Sequence, residues 1–266
     1  MEIKMSKFRF QAHRGDSAYY PENTFSSYSA AIAQGYDIIE LDARFTADNA
    51  CICFHDANLN RTARYIADGS RIEEPFPVAK ATMDDIRKLE VGSHKGEEFR
   101  GEPITTLAGA LAYIAYCENS SIGIKLDNVL QSYRQDQLEI FEKIIKSSGI
   151  MPQIGFTCYT LPYLNYMAER FPKCELHYDG AVTAAALEAC GRLSDAGRRV
   201  TIWVPYDNEA TAWAKVRHAD AEYCRELHQY GEVGIWLISE PEELRMARDV
   251  FGADVIETNG TLKPDR

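Results

Sequence analysis

Residues 8–42, FRFQAHRGDSAYYPENTFSSYSAAIAQGYDIIELD, contain the unit of sequence that decides the fold. Residues 8–13 and 37–42 are apolar runs with the length of buried strands. The segment between them carries apolar residues three and four apart, as on one face of a helix: Phe25, Tyr28, Ala31 and Ile32. Asn23 or Thr24 is a candidate cap at the start of this helix, and Gly35 is its predicted end. The unit therefore predicts two parallel strands joined by a helix.

The same alternation continues along the rest of the chain. Further strands are predicted at residues 50–55, 121–126, 153–157, 174–178, 200–204, 233–239 and 254–258, with further helices at 133–146, 161–170, 181–193 and 241–250. About eight such repeats in roughly 250 residues match the size of a (β/α)8 TIM barrel, which we predict as a single domain over residues 1–266. A doubly wound open sheet is the alternative, but no G-x-G-x-x-G motif follows the first strand.

Nine predicted strands are one more than such a barrel needs. We expect the surplus strand in the last third of the chain, at residues 200–204 or a neighbour. Residues 58–80 and 91–103 lack a clear period and are predicted as long loops, which in compact domains usually serve function. Because residues 58–80 follow His55, we expect them to shape substrate specificity.

The composition excludes several classes of protein and of partner. With 29 Lys and Arg against 40 Asp and Glu, the net charge is −11, which argues against nucleic acid and anionic membranes as partners. The chain has no apolar run of about 18 residues, and residues 1–7 have no signal-peptide core, so neither a membrane span nor a secretory leader is expected. Seven cysteines without a CxxC pair indicate free thiols in a reducing compartment, and we predict a cytoplasmic protein.

Two carboxylates lie at the end of the second predicted strand, on the face where barrels build their active sites. Glu40 and Asp42 are one pleat apart, so they share a face of the strand and repel each other unless a positive charge neutralises them. A hard divalent cation, Mg²⁺ or Ca²⁺, would do so. Pairing with Arg14, Arg44 or Lys125 would also do so, and spacing alone leaves both interpretations open.

Two histidines lie at the ends of other predicted strands. His13 and His55 could act as general acid and general base across a substrate, or each could be a hydrogen-bonded core residue. Arg14 and Lys125 bring two cations to the same rim, where a guanidinium fork and an ammonium suit phosphate oxygens. Together with the carboxylate pair, this set predicts metal-assisted phosphoryl chemistry.

Two long stretches of the chain resemble the glycerophosphodiester phosphodiesterase family. The first, AHRGDSAYYPENTFSSYSAAIAQGYDIIELDARFTADNACICFHDANLNRTA, covers residues 12–63 and contains the HRG, PENT, ELD and HD motifs of the family. The second, GIWLISEPEELRMARDVFGADVIETNG, covers residues 234–260 and is similar to the family's tryptophan strand, last helix and final strand. The resemblance implies a (β/α)8 barrel that hydrolyses small-molecule glycerophosphodiesters to an alcohol and glycerol 3-phosphate.

The resemblance also implies which residues carry the chemistry. His13 and His55 would be the general acid and base, and Asp56 would orient His55. Glu40 and Asp42 would hold one Mg²⁺ or Ca²⁺ ion.

Substrate binding is implied for a second group of residues. Arg14 and Lys125 would contact the phosphate, and Trp236 would form a wall of the pocket. Glu22 and Asn23 would be an acid and an amide at the rim, unless they cap the first helix.

The chain departs from the family pattern at the pocket end. The family's third metal ligand, a glutamate, is replaced by Gly123, so we expect water or Asp127 to fill that place, or the metal to be weak or absent. Ser239 and Asn259 stand where the family has Asn and Asp. These changes keep two alternatives open, a lyase that releases a cyclic phosphate and a non-catalytic barrel that binds phosphodiesters.

Overall fold

The structure, a computed structural model, describes residues 8–117, 121–127 and 133–264. The expected lack of a leader concerns residues 1–7, which lie outside the described residues. The described strands are β1 Arg9–Ala12, β2 Ile38–Phe45, β3 Cys51–Cys53, β4 Arg64–Tyr65, β5 Leu89–Glu90, β6 Gly123–Asp127, β7 Ile154–Cys158, β8 Glu175–Tyr178, β9 Val200–Pro205, β10 Glu232–Trp236 and β11 Val255–Thr258.

Helices lie between most of these strands. They are α1 Phe25–Gln34, α2 Met83–Ile86, α3 Leu107–Tyr116, α4 Gln135–Ser147, α5 Leu161–Arg170, α6 Ala184–Asp195, α7 Ala221–Leu227 and α8 Pro241–Arg245, the last continuing as a π-helix over Met246–Val250. Short 3₁₀ turns span Val78–Lys80, Glu97–Phe99, Met151–Gln153 and Glu209–Thr211. Within the described part of the chain, no helix has both the length and the apolar character needed to cross a lipid bilayer.

Eight parallel strands close into a barrel. Their order is β1-β2-β6-β7-β8-β9-β10-β11, and β11 pairs with β1 to complete the ring. The predicted (β/α)8 fold is therefore confirmed. The unit formed by residues 8–42 supplies β1, α1 and β2, with Thr24 as the helix cap and Gly35 at φ 78° as its end.

The surplus strand was predicted in the wrong place. Residues 200–204 belong to the barrel strand β9, whereas β3 is the additional strand and pairs antiparallel with β2. Only residues 46–50 separate β2 from β3, which suits a hairpin, while parallel strands need a crossover of about a dozen residues. His55 therefore follows a strand outside the barrel, and the prediction that it ends a barrel strand was wrong.

The segment between β3 and α3 forms a layer beside the barrel. It has its own small apolar core, in which Ile52, Phe54, Leu59, Ile86 and Leu89 are buried. Residues 58–80, predicted as a loop, contain β4 and the 3₁₀ turn Val78–Lys80, and β4 pairs with β5. This layer places the chain around His55 against the mouth of the barrel.

The interior of the barrel is polar in its middle layer. Buried side chains from different strands meet there, because alternate residues of each strand point inward. Gln11 donates to Glu257, Lys125 Nζ lies 3.4 Å from Glu257 Oε2, and Trp203 Nε1 donates to His177 Nδ1 at 3.1 Å. Two residues further along the same strands, the next inward-facing side chains lie at the mouth of the barrel. The polar layer of the interior therefore lies directly below the site.

Candidate active site

The turn after β1 has a backbone that brings Arg14 over the mouth of the barrel. Arg14 and Gly15 adopt φ of 58° and 79°. A Cβ on Gly15 would lie 2.5 Å from Ser27 Oγ and 2.8 Å from the Ser27 backbone carbon, so only glycine lets the turn approach α1 this closely. Ser27 Oγ in turn donates to the Arg14 carbonyl oxygen at 3.0 Å. The HRG sequence is thus a local structural requirement as well as a source of functional groups.

The residues of the PENT motif have different positions and partners. Thr24 caps α1, which removes the capping interpretation for Glu22 and Asn23. Asn23, at φ 60°, donates from Nδ2 to Asp42 Oδ2 at 2.6 Å and accepts the Asp42 N–H at 3.1 Å. Glu22 Oε1 lies 3.1 Å from Arg14 Nη1 and 2.6 Å from Arg61 Nη2. Asn23 therefore positions a carboxylate, and Glu22 positions two guanidinium groups.

The carboxylate pair on β2 is almost fully buried. Glu40 and Asp42 are 1% and 2% exposed. Glu40 accepts the Arg14 backbone N–H at 2.8 Å, and Asp42 Oδ2 lies 3.5 Å from Arg14 Nε. Burial, followed by the charges of Asp42, Asp127 and Glu257, raises the pKa of Glu40 well above its usual value. The pair thus lies in a region of excess negative charge that Arg14 only partly neutralises.

Lys125 is the buried cation of the site. In the register of β2 and β6 it stands beside Glu40, but its Nζ lies nearest to Glu257 at 3.4 Å and Asp127 at 3.7 Å. Burial favours a neutral amine, yet the charges of Glu257 and Asp127 outweigh it and raise the pKa of Lys125. Lys125 therefore stays cationic at the base of the mouth. Arg44, the other candidate partner of the carboxylates, instead donates to the His55 carbonyl oxygen at 2.7 Å.

The two histidines have chemically different partners. His13 Nδ1 lies 2.6 Å from Oδ1 of Asn259, an amide at the end of β11. His55 Nδ1 lies 2.6 Å from Oδ1 of Asp56, a carboxylate that Arg61 also contacts at 2.6 Å. Burial is the main cause that lowers the pKa of His13 below its usual value, so its ring is neutral near pH 7.

Most of the predicted site residues line one cavity of about 690 Å³ at the mouth of the barrel. They are His13, Arg14, His55, Lys125, Asp127 and Trp236. Glu40 and Asp42 are not among its lining residues and lie beneath Arg14. The expected contribution of residues 58–80 to specificity is not seen, since none of them lines this cavity.

The opposite wall contains residues that sequence reasoning did not select. Asp179 follows β8, Trp203 is on β9, and Trp213 lies in the loop after β9. Asp179 is two residues beyond His177, so strand alternation could have flagged it as inward-facing. No sequence pattern points to Trp213, which is 72% exposed.

The donor set only partly fits a divalent cation. Glu40 and Asp42 are two adjacent buried carboxylates in negative surroundings, which suits Mg²⁺ or Ca²⁺. Asp127 stands beside Asp42 in the register, but its carboxylate accepts the Tyr159 hydroxyl and faces Lys125.

The number of protein ligands for a cation is small. Among the described residues, no three Asp, Glu, His or Cys side chains form a metal-binding group. The residues present therefore fit a cation with two protein ligands. Gly123 adds none, because glycine has no side chain to coordinate a cation.

Fold and site together define a (β/α)8 barrel whose mouth combines two histidines, two cations and buried carboxylates. The sequence profile of the glycerophosphoryl diester phosphodiesterase family matches residues 13–176, and the chain belongs to this family. The glycerophosphodiester phosphodiesterase of Caldanaerobacter subterraneus subsp. tengcongensis is 40% identical over 96 residues, which are 36% of this chain and 36% of that protein. The aligned parts span little more than a third of the length of the first curated relatives.

Solved structures share the fold over nearly the whole chain. A Silicibacter pomeroyi protein, provisionally assigned as a glycerophosphoryl diester phosphodiesterase, superposes with a TM-score of 0.76 at 19% identity, covering 96% of this chain and 90% of that one. A phosphodiesterase from Oleispira antarctica, solved with the product sn-glycerol-3-phosphate, gives 0.68 at 21% identity, covering 95% and 93%. At such identities the likeness shows the fold.

Proposed function

We propose that the protein is a phosphoric diester hydrolase that converts glycerophosphodiesters to an alcohol and glycerol 3-phosphate. The observation that carries this proposal is the convergence of His13, His55, Arg14 and Lys125 on one cavity. Membership of the glycerophosphoryl diester phosphodiesterase family supports the same reaction. Arg14 and Lys125 would bind the non-bridging phosphate oxygens and stabilise the charge that grows on them in the transition state.

The different partners of the two histidines suggest their roles. The amide oxygen of Asn259 accepts from Nδ1–H of His13, which leaves Nε2 unprotonated in a neutral ring. His13 is then suited to take the proton from the attacking hydroxyl, either water or the 2-hydroxyl of the glycerol. In the second case the product is a cyclic phosphate, which water then opens to glycerol 3-phosphate. The Asp56 carboxylate stabilises positive charge on His55, which is suited to protonate the leaving alkoxide.

A bound divalent cation is part of the proposal. Glu40 and Asp42 would hold Mg²⁺ or Ca²⁺, with water or substrate oxygens at the remaining positions and Asp127 as a further ligand if it turns from Tyr159. When bound, the cation would act as a Lewis acid toward the phosphate oxygens.

Thermal unfolding tests this cation site. Added Mg²⁺ or Ca²⁺ should raise the Tm of the wild type, whereas Asp42→Asn should abolish the shift. Equal shifts in both proteins would contradict this site.

The reaction is tested by incubating the purified protein with glycerophosphocholine and glycerophosphoglycerol in Mg²⁺, in Ca²⁺ and in chelator. We expect enzymatically detectable glycerol 3-phosphate from the wild type with a cation, and almost none from His13→Ala. If no diester gives glycerol 3-phosphate, or if the wild type and His13→Ala release equal amounts of it, the hydrolase proposal is contradicted.

The same assay separates the two alternative functions. Phosphorus NMR of the product distinguishes a phosphate monoester from the five-membered cyclic phosphate that a lyase would release. Ligand binding without turnover would favour a non-catalytic barrel.

We also propose that the protein works in the reducing cytoplasm. Its seven free cysteines, six of which are buried, support this proposal.

A further inference from the structure

The two walls of the cavity carry opposite chemistry. The wall with Arg14 and Lys125 suits phosphate, whereas the wall with Asp179, Trp213 and Trp236 combines one carboxylate with aromatic faces. A phosphodiester also has two parts, the anionic phosphate and the alcohol that leaves. Asp127 and Glu257 also line the cavity, but each lies within 4 Å of Lys125. A carboxylate without such an ion pair would repel the phosphate, so the position of Asp179 suits the alcohol.

Among the described residues, the hydrogen-bond partner of the Asp179 carboxylate is a neutral group and not a cation. Its Oδ1 accepts the indole N–H of Trp236 at 3.3 Å. Within the described residues it forms no ion pair, in contrast to Asp127 and Glu257, both of which lie within 4 Å of Lys125. Burial raises the pKa of Asp179 to about 7, although the charge of Lys125 opposes the rise. Lys125 is also shared with Glu257 and Asp127, so a cation bound beside Asp179 would complete a charge compensation that Lys125 gives only in part.

Two tryptophans offer aromatic faces beside Asp179. Trp203 already has Lys125 Nζ over its ring, 4.2 Å from the centroid. The ring centroids of Trp213 and Trp236 lie 5.8 Å apart, and the two ring planes form an angle of 31°. Trp213 is 72% exposed. Tryptophan faces attract ammonium groups through the ring quadrupole. The Lys125–Trp203 contact shows the same interaction inside this barrel.

We propose that Asp179, Trp213 and Trp236 form a subsite for a cationic leaving alcohol, so that the preferred substrates are glycerophosphodiesters of ammonium-bearing alcohols such as choline or ethanolamine. The carboxylate supplies the opposite charge and the two indoles supply faces for the ammonium group. This inference rests on the proposed phosphodiesterase function. It makes these three residues determinants of specificity, separate from the histidines.

Two cations near the rim of the cavity need to be weighed against this proposal. The Arg217 guanidinium is already engaged, 3.0 Å from Asp220 and stacked 4.2 Å from the centroid of the Tyr223 ring. Lys215 is exposed at the rim, where solvent screens its charge. Asp179 lies deeper, so its charge acts more strongly on a bound head group than that of Lys215.

A binding experiment tests the subsite without any turnover. All three tryptophans of the protein line this cavity, so intrinsic tryptophan fluorescence reports on it alone. We expect choline to change the fluorescence at concentrations at least about fivefold lower than its neutral isostere 3,3-dimethyl-1-butanol. Asp179→Asn, which keeps an oxygen for the Trp236 N–H, should remove most of that difference. Equal binding of choline and the isostere to the wild type would overturn the subsite, whatever the variant does.

A kinetic experiment tests the same subsite during catalysis. The ratio of kcat/KM for glycerophosphocholine to that for the neutral glycerophosphoglycerol should fall about five- to tenfold in Asp179→Asn. Asp207→Asn is the matched control, because Asp207 is exposed in the loop after β9 and lies outside the cavity lining; its ratio should match the wild type. An equal loss on both substrates would mean that Asp179 serves the fold or Lys125, and would overturn the proposal.

The outcomes separate this inference from the function on which it rests. A wild type that cleaves neither substrate contradicts the proposed phosphodiesterase activity. A wild type that cleaves both at equal kcat/KM keeps that activity and contradicts the subsite. A higher kcat/KM for a diester with an anionic head group than for glycerophosphocholine would also contradict the subsite. It would instead assign the selectivity to the Lys215 ammonium.

Discussion

The two walls of the cavity are built in different ways. The phosphate wall is the side of the cavity lined by His13, Arg14, His55 and Lys125. Its side chains have charged or polar partners, as shown by Lys125, which is 1% exposed and lies between Glu257 and Asp127. The opposite wall comes largely from residues after β8 and β9, and its Trp213 is 72% exposed. Under the two proposals, the chemistry common to all substrates would depend on residues held by the barrel strands, whereas selectivity would depend mainly on the segments that follow β8 and β9.

The largest expected effect concerns the phosphate wall. His13→Ala and His55→Ala should each lower kcat by about 10²- to 10⁴-fold, because each removes one proton transfer in the transition state. Steady-state kinetics on glycerophosphocholine measures the loss. His228→Ala is the control, since His228 pairs with Asp254 at 2.9 Å and does not line the cavity. A loss below tenfold for both cavity histidines would mean that this wall binds phosphate without acid–base catalysis.

The phosphate wall was largely predictable because its residues lie in short local patterns. Strand alternation alone placed Lys125 with Asp127 on one face of β6, and it placed Glu40 with Asp42, which lie beneath this wall, on one face of β2. The register then brings the two pairs side by side on β2 and β6. Local sequence thus fixed which residues share a face, and the closed barrel fixed which faces meet.

The parts that sequence reasoning missed depend on neighbours far along the chain. Asn259 contacts His13 only because β11 pairs with β1. The surplus strand was misplaced because counting apolar runs does not separate a hairpin from a crossover. Trp213 belongs to a loop, where neither the strand period nor the helix period applies. Apart from Trp236, the opposite wall is therefore the part of the site that the sequence did not predict.

The second prediction tests whether the phosphate wall is one coupled network. Lys125→Met removes the cation that Glu257 and Asp127 share, which leaves buried carboxylates uncompensated. We expect a loss of about 3–5 kcal/mol in the free energy of unfolding, measured with denaturant, as well as loss of activity. Lys146→Met is the matched control and should cost under about 0.5 kcal/mol, because Lys146 is exposed and its partner Glu142 keeps an ion pair with Arg170 at 2.5 Å. Similar costs for the two variants would refute the idea of a coupled network.

The third prediction concerns pH and the rim of the phosphate wall. The pKa of Glu22 is held at about 2 by Arg61 and Arg14, which outweigh the opposing effect of burial. A carboxyl whose folded pKa is depressed contributes stability above its ordinary pKa, here 4.5, and loses that contribution as the pH falls toward about 2.

Glu22→Gln should therefore lower the free energy of unfolding by roughly 1–2 kcal/mol at pH 7, after allowance for the exposed Arg61, and by almost nothing at pH 2. Urea unfolding of both proteins between pH 2 and pH 7 measures the difference. Glu188→Gln, on the exposed side of α6, should show no such trend. A destabilisation of Glu22→Gln that stays constant with pH would contradict an origin in charge.

The smallest expected effect concerns the exposed ring of Trp213 in the opposite wall. Trp213→Ala removes an exposed ring, so the free energy of unfolding should change by less than about 0.5 kcal/mol. The KM for glycerophosphocholine should rise about three- to fivefold, since an ammonium over an exposed indole is worth about 0.5–1 kcal/mol, and Trp213→Phe should recover part of it. Tyr116→Ala, which removes an equally exposed ring outside the cavity lining, should leave KM unchanged. If Trp213→Ala instead lowers kcat for glycerophosphoglycerol as much as for glycerophosphocholine, the two walls do not divide catalysis from selectivity, because the loop would then act on the reacting phosphate itself.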